Sequence, residues 1–164
     1  MRIILPARTS TAGVHVELGR LPITSDVYIS MIKYWLRLIS LEKDTLVSHC
    51  YWALFADPLL SDPWLRTIRN IVYSTGFQQL WDNQDAISQV DPKTLNVFEK
   101  SIIMNIKNQF LQSLTSNLQN ESRLQFFENS KDILATSDYL SKIENFESRS
   151  LMSKLRLGVL NLEM

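Results

Sequence analysis

The chain has 164 residues, 45% hydrophobic and 21% charged, with 17 basic residues against 17 acidic. This is the size and balance of one globular domain, and it excludes a disordered chain, which would hold fewer apolar residues or more net charge. Zero net charge also argues against a strong autonomous nucleic-acid binder, whose affinity comes from neutralising phosphates.

The first ten residues hold a short apolar run ended by Pro6, too short for a signal peptide. No stretch approaches the roughly 18 apolar residues that a membrane span needs. Thr9 or Ser10 can cap a first short helix, and Gly19 sits where a left-handed residue would stop it. After Pro22, Thr24 or Ser25 can cap a second helix over about 26–41. Its polar residues Asp26, Ser30, Lys33, Arg37 and Ser40 step by four and three and form one narrow stripe. A helix apolar around most of its girth is surrounded by other elements, so this is the expected central helix.

Asp44 is the expected cap of a third helix, about 45–56, carrying Leu46, Val47, Cys50, Trp52, Ala53, Leu54 and Phe55 as core material. Asp62-Pro63 joins a cap to a proline in the first turn and opens a fourth helix, which Gly76 ends. A helical turn follows at 78–81. Asp91-Pro92 repeats the signal and opens the longest helix, about 93–118. Its core positions are Leu95, Phe98, Ile102, Ile106, Phe110, Leu114 and Leu118, with Asn96, Asn105, Asn108 and Gln112 on the other face. Residues 122–133 read either as a short extended piece or as a helical turn. Thr136 or Ser137 is the expected cap of one last helix, with Tyr139, Leu140, Ile143, Phe146, Leu151, Met152 and Leu155 inward and Gly158 at its end. The expectation is an all-α fold: one domain over 1–164, with about six helices around the central apolar one.

No residue pattern supports catalysis. His49-Cys50 is the one soft-ligand pair, and neighbours on a helix point about 100° apart, so they neither hold zinc nor form a nucleophile–base pair. They read as a core cysteine beside a half-exposed histidine. The acids Glu17, Asp82, Asp85, Glu144 and Glu147 are of the right type for acid–base work, but most acids here sit at caps or on solvated faces. Phosphate-loop, G-x-S-x-G and H-E-x-x-H patterns do not occur. The expectation is therefore a non-enzyme with no metal and no cofactor. A lone Cys50 makes no internal disulfide, which fits a reducing, intracellular setting such as cytoplasm or nucleus. Trp35, Trp52, Trp64 and Trp81 read as core rather than as stacking platforms. Lys33 and Arg37, one turn apart, read either as a solvated stripe or as a pair of phosphate contacts, and Arg66 and Arg69 make a similar pair. Residues 1–40 carry five basic residues against two acidic ones; residues 76–100 carry two against four.

Glu17-Leu18-Gly19-Arg20-Leu21-Pro22-Ile23, followed by Met31-Ile32-Lys33-Tyr34-Trp35-Leu36-Arg37-Leu38, resembles the region after the polymerase core in animal LINE-type (non-LTR) retrotransposon reverse transcriptase proteins. Arg2-Ile3-Ile4-Leu5, Thr9-Ser10-Thr11, Val16, Gly76-Phe77 with Trp81 and Gln84, and Ser153-Lys154-Leu155-Arg156-Leu157 fit the same pattern, so the likeness spans nearly the whole chain. The polymerase's Tyr-x-Asp-Asp signature does not occur, the Cys/His segment that usually follows in the family is not reached, and Leu5-Pro6 stands where Leu-Gly is common. On this resemblance the chain is a separated piece of such a protein, or a reading frame that kept the helical region alone. It implies an accessory role beside a polymerase that handles RNA and DNA, and no catalytic residue. Two functions are expected. One is weak, salt-sensitive nucleic-acid contact through Arg8, Arg20, Lys33 and Arg37; the other is contact with a polymerase domain or another protein. No membrane role is expected.

Overall fold

The computed structural model describes residues 9–57, 59, 61–87, 90–120 and 134–157. Among them there are nine helices and no strand: α1 (Thr11–Glu17), α2 (Ile23–Ile39), α3 (Leu46–Phe55), α4 (Pro63–Ser74), α5 (Gln78–Asp82), α6 (Gln84–Ile87), α7 (Pro92–Asn120), α8 (Tyr139–Lys142) and α9 (Phe146–Arg156). The fold is all-α, with six helices of seven or more residues and three short ones. The chain gathers into two compact units: residues 23–109, and residues 1–22 with 110–164. The segment 122–133 and Gly158 lie outside the described residues.

In the unit formed by residues 23–109, α2 is the centre, with α3, α4 and α6 packed on it. Ile32 and Trp35 are fully buried, and Leu36, Leu38 and Ile39 nearly so. From α4 come Leu65, Ile68, Ile71 and Val72; Leu80 and Trp81 come from α5, Ile102 and Ile106 from α7. The Trp35 and Trp81 rings stack at 5.9 Å, and Phe55 meets Trp81 edge-on at 5.4 Å. A Trp must place its N–H when buried. Trp35 Nε1 donates to Tyr51 Oη at 2.9 Å, and the Tyr51 hydroxyl donates to Gln84 Oε1. Burial, opposed by these hydrogen bonds, pushes the Tyr51 phenol up to about 12.

Caps define the ends. Asp62 Oδ1 accepts from Leu65 N at 2.9 Å, and Asp91 Oδ1 accepts from Lys93 N and Thr94 N at 2.9 and 3.1 Å. The Thr94 hydroxyl also donates to Asp91 Oδ2, and this bond, followed by that from Thr94 N, holds the Asp91 carboxyl below its ordinary range. Gly76 has φ +83 and follows the α4 cap residue Thr75. The carbonyls left unpaired at that helix end are met from α7: Asn105 Nδ2 donates to Thr75 O at 3.0 Å and Gln109 Nε2 to Ser74 O at 2.7 Å. The amide face of α7 thus closes a neighbouring helix.

Four sequence expectations are corrected. The second helix begins at Ile23, directly after Pro22, so Thr24 and Ser25 lie inside it and Ser25 is buried. Proline's fixed φ is already suited to a helix start, which moves the boundary forward. Thr45 caps α3 in place of Asp44, its Oγ1 accepting from Ser48 N at 3.2 Å. The inward residues of α3 are Ser48 and Tyr51, whereas Leu46, Val47, Cys50, Ala53 and Leu54 are exposed. Cys50 is therefore a surface residue. Finally, the last helix is two: Ile143 is extended, and Asn145 Oδ1 accepts from Glu147 N and Ser148 N at 2.8 and 3.3 Å, starting α9 afresh. Phe146, Leu151 and Leu155 face outward, while Ser153 and Leu157 are buried.

Candidate functional site

In the unit formed by residues 1–22 and 110–164, two motifs that stand far apart in sequence meet around one carboxylate. Ser10 Oγ caps α1 by accepting from Gly13 N at 3.3 Å. Ala12 and Val16 on the same helix pack with Leu114, Leu118 and Leu157. This places Glu17 at the buried end of α1, 2% exposed. Arg156 Nε stands 2.9 Å from Glu17 Oε1 and donates to Oε2 at 3.2 Å. The Oε1 approach is close but not aligned as a hydrogen bond, so the attraction there is charge alone.

Residues 136–139 complete the shell. Ser137 Oγ donates to Glu17 Oε2 at 2.7 Å, Ser137 N to Glu17 O at 3.2 Å, and Thr136 Oγ1 to Leu18 O at 3.2 Å. Ser137 serves this network rather than capping a helix, and it satisfies a carbonyl left open at the α1 terminus. Tyr139 lies under the Arg156 guanidinium at 5.6 Å, its hydroxyl 2.7 Å from Ser153 Oγ. Burial, and next the Glu17 carboxylate, push its phenol above the ordinary range. Gly19 has φ +61, and a Cβ there would lie 2.5 Å from Leu134 O and Thr136 N. Only glycine fits both the left-handed backbone and the close crossing. Glu17, Gly19, Ser153, Arg156 and Leu157 thus have structural work to do.

Of the residues expected to touch nucleic acid, Arg8 lies outside the described residues. Arg20 is exposed in the same unit as Glu17. Lys33 and Arg37 are exposed in the other unit, where they share the solvent stripe of α2 with Asp26, Ser30 and Ser40. The Met31–Leu38 motif therefore divides: Ile32, Trp35, Leu36 and Leu38 point inward, and Lys33, Tyr34 and Arg37 outward. Tyr34 stands edge-on to Trp64 at 5.8 Å. Arg66 and Arg69 are exposed on α4, with Arg69 over the Tyr73 ring at 5.2 Å. Trp35 and Trp81 are buried; Trp52 and Trp64 are half-buried.

The surface that sequence reasoning missed is on α3. Leu46, Cys50, Ala53 and Leu54 recur at helical spacing on one exposed face, with Val47 beside them. Leu46 is 78% exposed, Val47 and Leu54 48% each. The sequence shows only that this helix is apolar nearly all round; the structure adds that Tyr51, Trp52 and Phe55 fill its inner side and leave the aliphatic residues outside.

Among the described residues no cluster of three or more His, Cys, Asp or Glu could hold a metal, and no helix is long and apolar enough to cross a membrane. His49 is exposed, with Nδ1 3.0 Å from Thr45 O. No family model, curated protein or solved structure matches the chain.

Proposed function

We propose that this chain is a non-catalytic helical accessory domain of retrotransposon reverse transcriptase descent, and that its work is to bind protein. The partner in this reading is the polymerase portion of such a reverse transcriptase. One observation carries it: α3 turns Leu46, Val47, Cys50, Ala53 and Leu54 to the surface on one face. A contiguous apolar face of this kind marks a contact surface rather than a solvated one. The descent rests on the motif resemblance. Glu17, Gly19 and Arg156, which belong to those motifs, have interlocking physical roles in the fold.

The test is a binding titration of the purified chain against a recombinant polymerase core of an animal LINE-type reverse transcriptase. Wild type should bind saturably, and Leu46→Glu with Leu54→Glu should abolish binding while leaving the melting temperature within a few degrees. Equal binding by wild type and variant would overturn the assignment of the face.

A second reading, weak nucleic-acid contact, is favoured by Lys33 and Arg37, exposed one turn apart on α2. Arg20 and Arg8 are its further candidates. Phosphate contacts position a protein without reading bases, so this reading implies salt-sensitive binding with little sequence preference.

A further inference from the structure

We propose that the exposed side of α2, with the pocket it shares with α4, is a self-association surface. It takes α2 of a second copy of this chain, antiparallel across a two-fold axis at Ser30. The pocket has a volume of about 400 Å³ and is lined by Asp26, Val27, Ser30, Met31, Tyr34 and Trp64. All but Trp64 come from α2. Val27 is 49% exposed, Tyr34 51%, and Ile23, one turn before Val27, 77%. Single apolar residues on a surface are ordinary, but these three recur at helical spacing beside a half-buried tryptophan. Such a run marks a contact surface.

The order of charge along the helix names the occupant. Asp26 stands at one end of the patch, Lys33 and Arg37 at the other, and the small Ser30 lies between. None of the three charged side chains makes an ion pair among the described residues. Asp26 and Lys33 are about two turns or roughly 10.5 Å apart, so they share one flank of the helix. A two-fold axis through Ser30 turns the helix end for end and keeps that flank on the same side of the pair. Asp26 of each copy then faces Lys33 of the other, and Val27 faces Tyr34. The Arg37 stem lies along Ile23 of the other copy. All three pairings are centred within one residue of Ser30.

Ser30 suits the crossing point. It is small, so the two helices can approach closely. Its hydroxyl already donates to Asp26 O at 2.8 Å, so covering it strands no polar group. A partner of uniform charge would meet a like charge at one end of the patch, as a nucleic acid would at Asp26. An inverted second copy meets an opposite charge at both ends. The patch is one face of one helix, well short of a standard interface, so the association is weak and concentration-dependent. This inference goes beyond the protein-contact reading, because it uses α2 and a copy of the chain rather than α3 and a polymerase.

The test is sedimentation equilibrium of the full chain from roughly 10 µM to about 1 mM. Wild type should dimerise with a dissociation constant on the order of 0.1 mM. Tyr34→Glu should weaken this at least about tenfold by charging the apolar side of the crossing. Asp26→Lys and Lys33→Glu each bring like charges together across the axis and should also weaken it about tenfold. An equimolar mixture of those two variants should recover a heterodimer within about threefold of wild-type affinity, because each copy supplies the charge the other lacks. Loss of folding produces no such recovery, and circular dichroism melts confirm that each variant is folded. A wild type that stays monomeric at about 1 mM, single charge variants that associate as wild type does, or no recovery on mixing would overturn the proposal. The test involves neither α3 nor a polymerase, so its failure leaves the α3 titration standing, and the reverse.

Discussion

Arg156 Nε stands 2.9 Å from Oε1 of Glu17, a carboxylate that is 2% exposed, and 139 residues separate the two in sequence. Breaking a buried ion pair by removing one partner strands the other charge, at a cost of about 3–5 kcal/mol. Glu17→Ala and Arg156→Met should each destabilise by roughly that amount. Because the two residues form one unit, the double variant should lose less than the sum, with a coupling of about 1–3 kcal/mol. Denaturant melts of the four proteins check this, and additive losses would show that the pair is incidental.

The two positive-φ glycines should respond unequally to alanine. At Gly19 the strain of φ +61 adds to a Cβ 2.5 Å from backbone atoms of 134 and 136. Gly19→Ala should cost roughly 3 kcal/mol or more. At Gly76 nothing lies within 4 Å of the added Cβ, so only the backbone term of about 1–2 kcal/mol applies. The comparison is made by chemical denaturation.

Trp35 is fully buried against Trp81 and bonded to Tyr51. Trp35→Ala should cost about 3–5 kcal/mol through loss of buried surface and the cavity left behind. An unchanged melting temperature would contradict its place at the centre of α2's inner face.

Tyr51 makes stability fall at high pH. Its phenol ionises near 10 in the unfolded chain and at about 12 when folded. Below about 10 both states are neutral and the contribution is complete; between about 10 and 12 the unfolded state releases its proton first, and stability is lost as pH rises. Tyr51→Phe strips Trp35 Nε1 and Gln84 Oε1 of their partner and should cost about 1–3 kcal/mol near neutral pH. It should also reduce the further loss on going to about pH 11, measured as the difference between wild-type and variant denaturation midpoints.

Much of the helix order was legible because the punctuation is chemical. Asp62-Pro63, Asp91-Pro92, Gly19 and Gly76 each act through a local rule, and each stands at a helix end. The polar stripe of α2 marked part of its exposed side, but Val27 and Tyr34, outside the stripe, are exposed as well. What failed was the assignment of faces where apolar residues surround a helix. On α3 the aromatic side chains Tyr51, Trp52 and Phe55 take the interior, and the aliphatic ones are left outside. On α9 the interior is set by polar partners: Glu17 draws Arg156 inward and the Tyr139 hydroxyl meets Ser153, against the apolar pattern. Neither choice is visible in periodicity, because both depend on which side chains arrive from distant segments. The break at Asn145 was legible as a cap signal and was masked by the apolar run across it.

If Lys33 and Arg37 make phosphate contacts, they should appear in the salt dependence. Four contacts with Arg8 and Arg20 give a slope of about −3 to −4 in log K against log salt, and Lys33→Ala with Arg37→Ala should flatten it by about two. Fluorescence anisotropy with a single-stranded oligonucleotide at two salt concentrations decides this. No binding at low salt would leave protein contact as the only reading.

The central claim, that the apolar face of α3 is a protein-contact surface, is tested most directly at Cys50, the chain's single thiol, which is exposed on that face. The rate of its alkylation by a maleimide is measured with and without the polymerase core of an animal LINE-type reverse transcriptase. The account expects fast labelling of the free chain and at least about tenfold protection by a saturating partner, lost when Leu46 and Leu54 are changed to Glu. Labelling at the same rate in the presence of the bound core would contradict it.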